Sequence, residues 1–175
     1  MTRNNVTVID YGVGNLLSVQ RGLEHCGAKV LVTSEPGDIL LAERLVLPGV
    51  GAYGKAMESL KALELVEAIL DISSRDIPIL GICLGMQLLL DKSLEFGEHQ
   101  GLGLIPGCVI PIPKKTINNQ DHKIPHIGWN QLIYSESHKN WEKSLLQEVY
   151  PCESTYFVHS FMSITNNSAH CISDC

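Results

Sequence analysis

Charge is scarce in this chain. Asp, Glu, Lys and Arg supply 18% of its 175 residues, below the usual quarter, and 45% are apolar. That balance excludes a disordered, self-repelling polypeptide and leaves enough apolar side chains for a sizeable core. The formal net charge is -6, with both signs mixed along the chain. No basic patch stands out, so nucleic acid is not expected as a main partner. Long apolar runs are missing as well. The opening stretch MTRNNVTVIDYG has one arginine and no extended apolar segment, so it reads as neither signal peptide nor membrane anchor. The expectation is a cytosolic protein with no membrane partner. Internal repeats and low-complexity tracts are absent too.

A length of 175 residues fits one domain, 1–175. The six cysteines, Cys26, Cys83, Cys108, Cys152, Cys171 and Cys175, could suggest disulfides. Without a secretory signal, and in a chain this large, reduced thiols are the better reading. Cys171 and Cys175, in CISDC, are four residues apart and could share a helical face as metal ligands. No second ligand pair sits nearby, so two unrelated thiols near a frayed end are expected, and no metal.

What the chain does have is a rhythm. VTVID (Val6 to Asp10) is a β-rich run. From Asn15 to Cys26, Leu16, Leu17, Val19 and Leu23 recur at helical spacing, and Gly27 punctuates. KVLVT (Lys29 to Thr33) predicts a second strand, followed by turn residues Ser34 to Gly37. Arg44 to Leu47 predicts a third strand that breaks at Pro48. Lys55 to Ile72 predicts a helix broken near Ala62. Pro78 to Ile82 predicts a fourth strand, and Leu84 to Asp91 another helix. Four strand–helix alternations imply an α/β fold with a doubly wound, mostly parallel sheet. Ligands of such sheets bind outside the carboxyl ends of the strands. The glycine-rich breaks YGVGN, PGVGAYG and GICLG all fall there.

After Phe96 the rhythm changes. A short strand over Cys108 to Ile112, a polar loop KTINNQDHK, a strand in HIGWNQLIY, a short helix over Trp141 to Val149 and a strand over Ser154 to Met162 are expected. This half reads as hairpins and loops added to the sheet.

GICLG raises the sharpest question. A nucleophile between two glycines, after a strand and before a helix, is a nucleophile elbow. The turn is tight and side chains at the flanking positions would collide. It lifts the Cys83 sulfur above the sheet edge and points a helix N-terminus at it, which favours the thiolate. The Leu84 N–H would face a tetrahedral oxyanion. The plainer alternative is a core cysteine in an ordinary βα turn. Strand, glycine, nucleophile, glycine and helix occur in order, which favours catalysis. PGVG, Pro48 to Gly51, could supply a second oxyanion donor, since glycines let a peptide turn toward a ligand. YGVGN is too short for the G-x-G-x-x-G fingerprint, because Leu17 stands three residues after Gly14. Glu35 lies past the following strand, so a dinucleotide site is rejected.

GICLGMQLL, with LPGVGAYG before it and PHIGWN and YFVHS after it, resembles the class I (triad) glutamine amidotransferases. VIDYGVGN, PGVG and PHIGWN together look like the glutaminase-subunit branch that serves imidazole glycerol phosphate synthases in histidine biosynthesis. The resemblance runs from the first strand to about His159. It implies that Cys83 attacks the side-chain amide of glutamine, giving a γ-glutamyl thioester and ammonia. It implies an oxyanion hole from Gly49, Val50, Gly51 and Leu84. Gln87 and the backbone near Ser160 and Phe161 would hold glutamine. Tyr11, Gly12, Val13, Asn15, Trp129 and Asn130 match positions facing a (β/α)₈ cyclase subunit, which would receive the ammonia. No cofactor and no metal are implied. A similar pairing in some bacteria feeds a surface-sugar precursor, and these motifs do not separate the two.

The family's base is a histidine in an F-H-P-E segment, oriented by its glutamate. Neither H-P-E nor H-x-E occurs in this sequence. The histidines are His25, His99, His122, His126, His138, His159 and His170. His159 is the tempting substitute, although its motif lies beside the family's site and is not the base. The expectation is a chain truncated at its C-terminus, with its last elements missing. Three readings follow: a truncated glutaminase, an inactive subunit that only binds a cyclase-like partner, or a different cysteine enzyme with His159 as base.

Overall fold

A computed structural model describes residues 4–115 and 119–175. The polar loop expected over KTINNQDHK lies partly outside the described residues. The chain divides into two compact units, Met1–Leu104 and Ile105–Cys175.

The first unit is built on the expected alternation. Strand β1 (Asn5–Ile9) leads to helix α1 (Leu16–His25), then to β2 (Lys29–Thr33), the single turn α2 (Pro36–Ile39) and β3 (Leu45–Gly49). Helices α3 (Tyr53–Ala62) and α4 (Leu65–Ser74) precede β4 (Ile79–Cys83). Helix α5 (Leu84–Leu88) follows without a gap, and the small pair β5 (Leu90–Ser93) and β6 (His99–Gln100) closes the unit. The sheet order is β2-β1-β3-β4, and every pairing is parallel. All four strands therefore end at the same edge.

Periodicity explains the helices. Tyr53, Ala56, Met57 and Leu60 are buried on α3, and Leu65, Ala68, Ile69 and Ile72 on α4. Both sets follow the i, i+3, i+4, i+7 stripe of an amphipathic helix. Glu64, with φ 57, makes the break between them, close to the position expected from the sequence. On α1, Leu16, Val19 and Leu23 pack over Val6, Val8 and Val46 of the sheet. The Asn15 side chain caps α1 by accepting from the Ser18 N–H, and Gly27 follows its end with φ 84.

Several expectations need correction. Pro48 does not break β3; the strand runs on, pairing Pro48 with Ile82 and Gly49 with Cys83. A proline lacks only the N–H, and its carbonyl here finds a donor in the Tyr11 hydroxyl at 2.7 Å. Helix α5 stops at Leu88 rather than Asp91. The carbonyls of Leu88 and Leu89 instead accept from Leu102 and Leu104 N–H, both at 2.9 Å, and β5 begins. Pro36 and Gly37, expected in a turn, start α2, where Pro suits the first helical position. Trp141 to Val149 forms successive tight turns and no helix. Its bonds run from Ser144 to Trp141, Gln147 to Ser144 and Val149 to Leu146, and Lys143 has φ 60.

The second unit is antiparallel. Strand β7 (Ile105–Pro111) pairs with β11 (Phe161–Thr165), and β8 (His126–Gln131) with β10 (Ser154–His159). The short strand β9 (Ile133–Tyr134) pairs with β12 (Ser173–Asp174), so the CISDC stretch is held in a ladder and is not frayed. The single strand expected over Ser154 to Met162 is thus two strands, which part at Ser160 to join different partners. Trp141 anchors this unit: it is buried, donates through Nε1 to the Ile172 carbonyl at 2.8 Å, and meets the Tyr134 ring edge-on at 4.8 Å. All six cysteines are free thiols. Burial, and then the Asp174 carboxylate, push the Cys171 and Cys175 thiols up. Among the described residues no helix is long and apolar enough to cross a membrane.

The central packing gives a direct test. Leu60 is fully buried on α3. Leu60→Ala should lower the unfolding free energy by about 2–5 kcal/mol, read from urea titrations of the wild-type and variant proteins.

Candidate active site

The carboxyl edge of the parallel sheet gathers three turns. After β1, the Asp10 carboxylate accepts from the Gly12 N–H at 3.0 Å and closes a turn that runs to Asn15. Gly14, with φ 120, sits in this turn, and a Cβ there would touch the Pro48 ring at 3.5 Å. At the end of β3 is the Gly49–Val50–Gly51 segment. At the end of β4 is Cys83 itself.

Cys83 ends β4 and caps α5 with φ 54 and ψ -117. A non-glycine residue holds such a backbone at a cost of about 1–3 kcal/mol, and only where its surroundings impose it. The surroundings are visible. A Cβ on Gly85 would run into the carbonyl oxygen of Leu47, and one on Gly81 into the backbone of Met86. Neither glycine has a positive φ, so both are required by close approach and not by conformational freedom. The elbow brings α5 against β3 and leaves the Cys83 thiol exposed. Leu84 is buried directly behind it. Because α5 has only five residues, its effect on Cys83 is that of one turn of unpaired N–H groups rather than a long dipole.

The segment after β3 lies beside this thiol, since Gly49 and Cys83 are register partners. Gly49 is closely enclosed: a Cβ on it would come within 2.7 Å of Tyr11 Oη, 2.8 Å of Gly85 N and 3.0 Å of Leu84 Cβ. Val50 is exposed, and Gly51 has φ 93. A thiol at a sheet edge, flanked by a glycine segment and the start of a helix, is equipped to attack a carbonyl carbon and to surround the resulting oxyanion with backbone donors.

The remaining expected residues divide between the units. Gln87 is half-buried on α5, four residues past Cys83. Gly12 and Asn15 are exposed and Val13 is half-buried. Tyr11 is the exception. Its ring is 2% exposed and turned inward, so it presents no side chain to a partner. Burial, and then the charge of Cys83, push its phenol well above the ordinary tyrosine value, so it stays a hydrogen-bond donor. Sequence reading missed this inward role, because no motif announces which strand end a tyrosine packs beneath.

In the second unit, Trp129 is exposed and stacks edge-on with Tyr156 at 5.5 Å. Asn130 Oδ1 lies 3.1 Å from His126 Nε2. Ser160 and Phe161 are half-buried; the Ser160 carbonyl accepts from Ile112 N–H at 3.0 Å. His159 donates through Nδ1 to the Phe161 carbonyl at 2.9 Å, and its Nε2 meets His126 Nδ1 at 2.9 Å. Both of its ring nitrogens are engaged within this unit. Among the described residues no group of three or more His, Cys, Asp or Glu could hold a metal ion.

The family model for "Glutamine amidotransferase class-I" matches residues 7–173. The chain belongs to that family. The amidotransferase is 46% identical over 171 residues to "Imidazole glycerol phosphate synthase subunit HisH 1" of Legionella pneumophila (strain Lens), a match covering 98% of this chain and 80% of that protein. It is 45% identical over 159 residues to the HisH subunit of Wolinella succinogenes, covering 91% of this chain and 75% of that one. Among solved structures, a crystal structure of a glutamine amidotransferase superposes with a TM-score of 0.66 at 13% identity, over 93% of this chain and 74% of that one. PurLQS from Thermotoga maritima gives 0.59 at 19% identity, over 93% and 70%. At such identities the likeness is one of fold.

The elbow contact yields the next prediction. Gly85→Ala in this amidotransferase should destabilise it by about 1–3 kcal/mol through the Leu47 clash. It should also slow alkylation of Cys83 by iodoacetamide, measured by peptide mass mapping. Unchanged values for both would mean that the elbow tolerates a side chain.

Proposed function

We propose that this chain is the glutaminase subunit of an imidazole glycerol phosphate synthase, working in the cytoplasm as the heterodimer partner of a (β/α)₈ cyclase subunit. The single observation that carries the reading is Cys83, exposed at φ 54 between two glycines that contact forbids to change. Both compact units are read as one amidotransferase domain, because the family match spans them. The HisH relatives, about 45% identical over nearly the whole chain, favour the cyclase of histidine biosynthesis over a surface-sugar acceptor.

The chemistry is acyl transfer. The Cys83 thiolate adds to the side-chain carboxamide carbon of glutamine, and the carbonyl π electrons move onto oxygen. The Leu84 N–H and the Gly49–Val50–Gly51 backbone would stabilise that oxyanion. Collapse breaks the C–N bond; the nitrogen takes a proton and leaves as ammonia, and a γ-glutamyl thioester remains. Water then attacks the thioester, releasing glutamate and the thiolate. Gln87 and the backbone at Ser160 and Phe161 are assigned to holding glutamine. Gly12, Val13, Asn15, Trp129 and Asn130 are assigned to the cyclase interface. No residue of this sequence is assigned as the base. His159 is a poor substitute, since a base needs a free nitrogen lone pair and both of its nitrogens have partners.

The test uses the protein purified from its host with its cyclase subunit. Glutamate release from glutamine should be abolished by Cys83→Ala, with the complex still assembling on size exclusion. His159→Ala should leave measurable turnover. Activity surviving Cys83→Ala would remove the nucleophile assignment. Assembly with no turnover in the wild type would favour a subunit that only binds its partner.

A further inference from the structure

Tyr11 is a buried polar group that the reaction as written does not use. It follows β1 at the carboxyl edge of the sheet, two residues beyond the last strand residue. Its hydroxyl donates to the Pro48 carbonyl at 2.7 Å, across 37 residues of chain. Pro48 is the residue before Gly49, and its carbonyl belongs to the same rigid peptide plane as the Gly49 nitrogen. A hydrogen bond to that oxygen therefore restrains the rotation of the peptide from which the Gly49–Val50–Gly51 segment departs. The same hydroxyl also lies directly against Gly49: a Cβ placed there would be 2.7 Å from it. The same point would lie 2.8 Å from Gly85 N and 3.0 Å from Leu84 Cβ, the first residues after the nucleophile. Tyr11 is thus packed under the seam where the glycine segment meets the elbow, and it is near enough to feel the charge of Cys83.

We propose that Tyr11 is a positioning residue for the glutaminase reaction: its buried hydroxyl holds the Pro48 carbonyl and so aims the Gly49–Val50–Gly51 segment at the oxyanion formed on Cys83. This rests on the glutaminase reading above and adds a residue to it. Tyr11 touches no reacting atom. It acts by fixing a peptide whose misplacement would weaken the transition state more than the ground state, because the oxyanion exists only after attack. Val50 and Gly51, at the outer end of the segment, are both at the surface. The Gly49 N–H lies in the same plane as the Pro48 carbonyl, so the Tyr11 hydrogen bond to that carbonyl fixes the direction of that donor as well.

Tyr11→Phe removes one oxygen and keeps the ring that fills the site. In the complex with the cyclase subunit, it should lower kcat for glutamine hydrolysis about tenfold to a hundredfold, as small displacements of aligned groups do. The KM for glutamine should not change. Iodoacetamide alkylation of Cys83, followed by peptide mass mapping, is the control. That displacement passes through no oxyanion, so its rate should be the same in the variant and the wild type. A fall in kcat with unchanged alkylation and unchanged KM supports the proposal. An unchanged kcat overturns it, and so does an equal fall in kcat and alkylation rate, which would place the effect on the thiol or the fold. If wild type shows no turnover, or if Cys83→Ala retains it, the glutaminase reading fails and this inference falls with it. Wild-type activity that is lost in Cys83→Ala but kept in Tyr11→Phe overturns the Tyr11 role alone.

Discussion

Helix α5 begins so close to strand β3 that the carbonyl of Leu47 occupies the place where a side chain on Gly85 would be. The geometry of the site follows from this contact. The chain leaving β4 must turn within one residue to reach the helix, and Cys83 takes a left-handed backbone to do so. The strain, on the order of 1–3 kcal/mol, is offset by what the turn allows to be buried. Leu84 and Leu88 go into the core on one side of α5, while the thiol is left outside on the other. A looser approach would relax the cysteine and withdraw it into the sheet edge.

The same closeness governs the polar groups around the elbow. Where β3 ends, Pro48 has no N–H and the two glycines have no side chains to hold the backbone. A tyrosine hydroxyl from the end of the neighbouring strand takes the Pro48 carbonyl, and a carboxylate from Asp10 closes the turn that carries it. The second is local, but the first spans 37 residues of chain and is made possible by parallel strands that all finish at one edge. The second unit solves its problem differently. Its strands pair antiparallel, its apolar burial is sparser, and one buried tryptophan ties the stretch near Cys171 to β9.

Much of this was legible in the residues. Helices α3 and α4 and the break between them follow from periodicity, because a helix packed on a sheet must bury one stripe. The strands β1, β2 and β4 lie within a residue of their expected bounds, since short β-branched runs between turns have few alternatives. The elbow was readable because its glycines are required by local contact. The errors were equally physical. Pro48 looks like a breaker, but a strand can hold a proline whose lost N–H is not needed and whose carbonyl has a distant donor. The end of α5 is set by the returning segment 101–104, which takes the carbonyls the helix would have used. Trp141 to Val149 carries apolar residues at plausible spacing, yet Leu145 is exposed and the tryptophan is committed to Ile172.

By itself, the sequence determined the alternation of strand and helix, the carboxyl-edge placement of three glycine turns, and Cys83 as the candidate nucleophile. Each depends on neighbours within a few residues, where propensity, spacing and steric exclusion act directly. Only the tertiary structure decided that Tyr11 turns inward, that Gly49 is enclosed between its hydroxyl and Gly85, and that both nitrogens of His159 are taken. Those outcomes depend on which strand ends lie side by side, and side-chain partners dozens of residues apart leave no mark on local pattern.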